Sequence, residues 1–147
     1  MADVSAEHVL IRKRDAAQAA LDHWSTVDFK LGSGDCAQMV ARHLRALGKS
    51  IKLPPKGSYR SVPGALRAMR KLGFASLADW IDSAGVARIA PARVVAGDVL
   101  QLPAEHPLGG LAIALGNGAA VAWMEGIEGG AIPIRPLLFV NAWRVDP

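Results

Sequence analysis

The sequence predicts an α+β fold, and three observations carry the prediction. Apolar residues recur at helical spacing through roughly the first 85 positions. From Val86 onward they alternate, or gather in short runs bounded by Gly, Asn and Pro. No internal repeat or low-complexity tract blurs the change of period. At 147 residues the chain can bury a core without disulfides or metal, so one domain over 1–147 is expected, with 1–27 as an N-terminal helix.

Ser5 is expected to cap a helix running to about Trp24. Val9, Leu10, Ala17, Leu21 and Trp24 fall roughly on one stripe, and Arg12-Lys13-Arg14 fall mostly off it. A glycine-rich loop, Phe29 to Gly34, follows. A second helix from about Asp35 to Leu47 should bury Met39, Val40 and Leu44 and stop at Gly48. Residues 49–60, with Pro54-Pro55 and Gly57, read as a connecting loop. Ser61 caps a third helix with Pro63 in its first turn and Ala65, Leu66, Met69 and Leu72 as its apolar positions. Ser76 caps a short fourth helix through Trp80 and Ile81, stopped at Gly85. In the second half, Gly97 to Pro103 alternates like a strand. Leu111–Leu115 and Ala119–Trp123 flank Gly116-Asn117-Gly118, the signature of a hairpin. Ala131–Ile134 and Leu138–Val145 supply two more strands, and Pro133 marks the former as an edge.

Composition narrows the function. The one cysteine excludes an intramolecular disulfide and any multi-thiolate zinc site, and the four histidines are scattered, so neither metal nor cofactor is expected. No apolar run approaches the roughly 20 residues of a membrane span. Met1-Ala2-Asp3-Val4-Ser5 is polar and acidic, unlike a signal peptide, so cytoplasmic synthesis without an export signal is expected. Residues 1–72 hold 13 Lys/Arg against 6 Asp/Glu, whereas 73–147 hold 4 against 7. The basic half reads as solvated helix faces or a surface for an acidic protein. Nucleic acid is an unfavoured partner, because no recognised binding motif accompanies the charge.

The chemistry-bearing residue is Cys36, where the loop turns into the second helix. The first turn of a helix has unpaired N–H groups and a partial positive charge, both of which favour a thiolate. A cysteine there is a candidate nucleophile if a base can take its proton. Asp35 reads equally as an N-cap, and an adjacent carboxylate opposes thiol ionisation. Asp98 reads as the anchor of a turn, and Trp123 and Trp143 as core or interface aromatics.

Asp35-Cys36 preceded by Gly32 resembles the nucleophile motif of papain-like cell-wall peptidases of the NlpC group. Gly97-Asp98-Val99-Leu100, followed by Leu111-Ala112-Ile113-Ala114-Leu115-Gly116-Asn117-Gly118, resembles that group's paired strands "GD-apolar … H-V-G-I-Y-L-G-N-G". The pattern is closer still to uncharacterised phage and prophage proteins related to that group. Their F-x-W-G-x-x-D-C, G-D-V and A-W-R are similar to Phe29, Gly32, Asp35 and Cys36, then Gly97-Asp98-Val99, then Ala142-Trp143-Arg144, with Leu31 in place of the tryptophan. The resemblance spans roughly residues 28–145. It implies a papain-like (NlpC-type) fold, with N-terminal helices packed on a small antiparallel sheet.

Active peptidases of that group have a histidine aligned with Gly110 here, and a polar residue that orients it falls near Ala122. This chain has neither. His43 is seven residues beyond Cys36 on one helix, a rise of about 10.5 Å and too far for a hydrogen bond. It belongs on or beside the core face. His8 and His23 read as surface or helix-end residues. His106, in the loop Ala104 to Leu108, is the one candidate substitute base, and the simpler reading makes it an exposed loop residue.

The resemblance therefore implies a non-catalytic structural component of a phage or prophage tail, near its tip. Other tail proteins are its expected partners, with peptidoglycan a further one, and its destination is the virion. Two alternatives stand beside this reading. One is an active cysteine peptidase or amidase cutting peptidoglycan stem peptides during phage entry, with Cys36 as nucleophile and His106 as base. The other is a basic adaptor for nucleic acid or an acidic protein.

Overall fold

Four helices precede a six-stranded antiparallel sheet in the computed structural model, which describes residues 4–105 and 110–147, with side chains from Ala6 onward. Helix α1 (Val4–Trp24) already includes Ser5, which lies in its first turn and not at its cap. Its inward stripe is Lys13, Ala17, Ala20 and Trp24, a spacing of four, three and four that keeps one helix face against the core. Leu10, expected on that stripe, is 53 % exposed, and Lys13, expected off it, is buried. The small Ala17 and Ala20 let α1 lie close against its neighbours, α2 and β3.

The next three helices follow their capping signals. In α2 (Cys36–Ala46) the Asp35 side chain accepts the N–H of Gln38, and Met39, Val40 and Leu44 are fully buried. In α3 (Val62–Lys71) Ser61 accepts from Gly64, and Ala65 and Met69 are buried while Leu66 and Leu72 are half-buried. In α4 (Leu77–Asp82) Ser76 accepts from Asp79, and Trp80 and Ile81 are fully buried.

The sheet contains β1 (Ala87–Arg88), β2 (Val99–Gln101), β3 (Leu111–Gly116), β4 (Ala119–Ala122), β5 (Ile132–Ile134) and β6 (Asn141–Arg144), in the order β1-β6-β2-β3-β4-β5. Pro133 sits on the β5 edge, where the missing N–H costs no ladder bond. Asn117 and Gly118 both have positive φ, 54° and 78°, as the tight turn from β3 to β4 requires. Strand alternation sorts the side chains cleanly. Val99, Ile113, Val121 and Trp143 face the helices, whereas Leu100, Ala112, Ala114, Ala120, Ala122 and Ala142 form a second apolar cluster on the far face. That face is covered by Ile89, Val94, Leu102, Ile134 and Phe139. The last strand is shorter than the sequence suggests, because of its leading residues only Phe139 joins this cluster. Leu138 and Val140 point to solvent. Strand β1, two residues long, offers too little alternation to be read in advance.

One buried knot ties α1 to the sheet. Lys13 Nζ donates to Asp98 Oδ1 at 2.6 Å and to Asp146 Oδ1 at 3.0 Å. Asp98, fully buried, also accepts the N–H groups of Val145 and Val95. Gly97 (φ +93°) makes the approach possible, since any Cβ there would collide with the Lys13 main chain. His43 Nε2 donates to the Gly97 carbonyl at 2.7 Å. The Gly97-Asp98 motif is thus an anchor, holding α1, α2 and the C-terminal strand together.

Candidate functional site

The loop before α2 is shaped around one carboxylate. Asp35, only 3 % exposed, accepts the N–H of Gln38 through Oδ1 at 2.9 Å. Its Oδ2 accepts the Gly32 N–H at 2.9 Å and the Tyr59 hydroxyl at 2.7 Å. Burial, then the Asp35 hydrogen bond, raises the Tyr59 phenol above its usual range, so Tyr59 stays a donor. Gly32 has φ +91°, and a Cβ on it would strike the Tyr59 carbonyl oxygen. The Gly-x-x-Asp-Cys spacing is therefore a cap-and-turn device that sets Cys36 at the first position of α2. Tyr59 was not legible as part of it. Its only signal was being the one tyrosine, lodged in a Pro/Gly loop.

Cys36 is half-buried and lies between two hollows. One is a narrow apolar crevice of about 20 Å³, running beneath the 53–59 loop and α3. The other is an open groove of about 480 Å³, bounded by Phe29, Gly110, Trp123, Met124 and Ile127, with Glu105 and Glu125 on its rim. Trp123 is fixed by its indole N–H on the Val27 carbonyl (2.9 Å) and by edge-to-face contacts with Trp24 and Phe29. Trp123 is thus a wall of the groove as well as a core aromatic.

The electrostatics of the thiol run against activation. Burial, and after it the Asp35 carboxylate, push the Cys36 thiol up to about 12, outweighing the N–H groups of Leu111, Cys36 and Ala37 that favour the thiolate. At neutral pH the group is held as the thiol.

The places where the resemblance puts a base and its orienter are both structurally closed. Gly110 has φ +87°, and a Cβ built on it falls within hard contact of the Leu102 carbonyl oxygen. The same two residues are bonded the other way, Leu102 N–H to Gly110 C=O, at 2.6 Å. No side chain fits there with the backbone as it stands. Ala122 belongs to the far-face cluster and turns away from the groove, and Trp123 is the β4-end residue that reaches it.

The remaining candidates separate. His106 lies outside the described residues. His43 is buried in the anchor knot, with burial lowering its pKa, so it is neutral at pH 7. His23 packs edge-on against Trp24 beside Arg42, and His8 is exposed on α1. Phe29 is 49 % exposed at the groove. Trp143 is fully buried, with its indole N–H on Asp82 at 2.8 Å and Arg88 stacked 5.7 Å from its ring. Arg144 donates to the Arg93 carbonyl. Gly97, Asp98, Trp143 and Arg144 therefore brace the scaffold, while Phe29, Gly32, Asp35 and Cys36 gather at one mouth. Among the described residues, no imidazole lines the groove, no set of three His, Cys, Asp or Glu gathers as a metal site, and no helix is long and apolar enough to cross a membrane.

A family model described as a domain of unknown function, DUF6950, matches residues 11–145. No curated protein matches the chain.

Proposed function

The chain belongs to the DUF6950 family, and we propose that it is a non-catalytic module built on a papain-like, NlpC-type plan, serving as a structural component of a phage or prophage tail. The observation that carries the non-catalytic half is Gly110. The residue that should hold the base beside Cys36 has a backbone that admits no side chain, next to a thiol whose surroundings disfavour ionisation. A nucleophile without a positioned base performs no acyl transfer. The papain-like plan is supported by the order of elements, a cysteine opening a helix that packs on an antiparallel sheet. The tail role, its partners among other tail proteins and its place in the virion rest on the motif resemblance. In this reading Cys36 and its loop are a retained turn, and the groove beside them is a docking or peptidoglycan-holding surface.

A second reading has one observation in its favour. An open groove leads to the sulfur, and three backbone N–H groups converge on that sulfur and favour its thiolate. In that case the chain is a cysteine peptidase or amidase using His106.

Two measurements on one set of variants test the proposal. Purified chain incubated with peptidoglycan sacculi should release no new amino termini. Particles purified from an induced lysogen carrying the gene should contain the chain equally as wild type and as Cys36→Ala. Stem-peptide cleavage abolished by Cys36→Ala or His106→Ala would overturn the non-catalytic claim, and absence of the chain from particles would overturn the tail assignment.

A further inference from the structure

From Cys36 to Ala78 the chain carries nine Lys or Arg and no Asp or Glu. Arg42 and Arg45 project from the outer face of α2. Lys49, Lys52, Lys56 and Arg60 follow along the connecting loop. Arg67, Arg70 and Lys71 continue on α3. All except the half-buried Lys49 are exposed, and among the described residues none is in an ion pair. The three segments are joined into one surface. Arg45 on α2 donates to the Ile51 carbonyl of the loop, and the loop and α3 share the walls of the narrow crevice. Asp35, which bounds the run, is buried with both oxygens occupied, so it does not offset the charge at the surface.

What the surface lacks identifies its partner. Among the described residues, every exposed large apolar side chain lies outside it: Leu10, Ile11 and Phe29 before, and Met124, Ile127, Leu137, Leu138 and Val140 after. Protein interfaces need an apolar core and are depleted of Lys at their centre. Peripheral membrane binding needs apolar side chains to insert. A surface of unpaired, closely spaced cations without apolar anchors matches a phosphodiester backbone, where affinity comes from released counterions and sequence is not read.

We propose that the surface formed by α2, the 48–61 loop and α3 binds the phosphate backbone of nucleic acid without sequence specificity. The inference rests on exposed side chains that the anchor knot does not use and stands independently of the tail assignment.

The test is fluorescence anisotropy of a labelled DNA duplex of about 25 base pairs, titrated with the full chain between about 50 and 200 mM salt. With six phosphates neutralised, log K should fall against log salt with a slope of about −5. Lys52→Gln/Lys56→Gln/Arg60→Gln/Arg67→Gln should flatten the slope to about −2, because each contact removed takes away about 0.9. Arg70→Gln/Lys71→Gln should flatten it by about 2, whereas Arg12→Gln/Arg14→Gln on α1 should leave it unchanged. A scrambled duplex should bind equally. Absence of binding at low salt, or slopes indifferent to the loop and α3 variants, overturns the proposal. So does polyglutamate or an anionic lipid vesicle competing as strongly per charge as the duplex, which assigns the surface to an acidic protein or a membrane instead.

Discussion

Placing a histidine at position 110, the obvious way to rebuild a catalytic pair, should damage the fold and leave Cys36 inert. Two costs add in Gly110→His. A non-glycine residue at φ +87° carries about 1–3 kcal/mol of backbone strain. The new Cβ also drives into the Leu102 carbonyl oxygen, and relieving that contact pulls apart the 2.6 Å bond from the Leu102 N–H to the Gly110 carbonyl, worth about 0.5–1.5 kcal/mol. The sum is about 2–4 kcal/mol, or roughly a 4–16 °C loss of Tm at this chain length. Gly48→Ala provides the comparison. Its φ is +81°, but no atom lies within 4 Å of the added Cβ, so it should show the strain cost alone. Urea denaturation of Gly110→Ala, Gly110→His and Gly48→Ala separates the two contributions. If Gly110→Ala proved as stable as wild type, or no worse than Gly48→Ala, the crowding argument would be refuted. If Gly110→His gained peptidoglycan cleavage, the closure of the base position would be refuted as well.

Three further outcomes follow from the same contacts. Asp35→Asn removes a charge that raises the Cys36 thiol, so its alkylation rate at a fixed alkaline pH should rise. Stability should also fall by about 1–3 kcal/mol, because an amide replaces a carboxylate that accepts three hydrogen bonds. His43 is held neutral by burial, so its folded pKa lies below 6.5. The unfolded chain therefore binds the extra proton first, and stability should decline as pH falls from about 7 towards 5, a slope that His43→Gln should flatten in urea midpoints measured across that range. Lys13→Met leaves the Asp98 carboxylate buried without its cation and should cost about 3–5 kcal/mol, read in the same assay. Asp98→Asn in the Lys13→Met background should recover part of that loss.

The local devices were legible because they are written in adjacent residues. Asp35, Ser61 and Ser76 cap the helices that their positions announce, and Asn117-Gly118 makes the turn that its chemistry requires. Apart from Ser5, which lies in the first turn of α1 and not at its cap, the elements misread depend on partners far along the chain. Lys13 looks like a solvated cation until Asp98, 85 residues away, is brought against it, and Leu10 looks like core until Lys13 takes the inward stripe. Leu138 and Val140 have strand composition, but only their neighbour Phe139 finds a surface to cover. At the site, the grouping of Phe29, Gly32, Asp35 and Cys36 was implied by the motif resemblance. Tyr59 was not, because its bond to Asp35 depends on how the 49–60 loop folds back. The vacancy at Gly110 was visible as a residue type, while the reason no side chain can return there is visible only in the backbone.

The central claim, that Cys36 is a retained turn residue and not a nucleophile, is tested most directly by the pH dependence of its alkylation by iodoacetamide in the folded chain. At pH 8 a thiol pushed up to about 12 should react about 10³-fold more slowly than an unperturbed cysteine. Its rate should still be rising at the highest pH the fold tolerates and should be the same in His106→Ala. A rate that reaches a plateau near neutral pH, and loses that plateau in His106→Ala, would contradict the account.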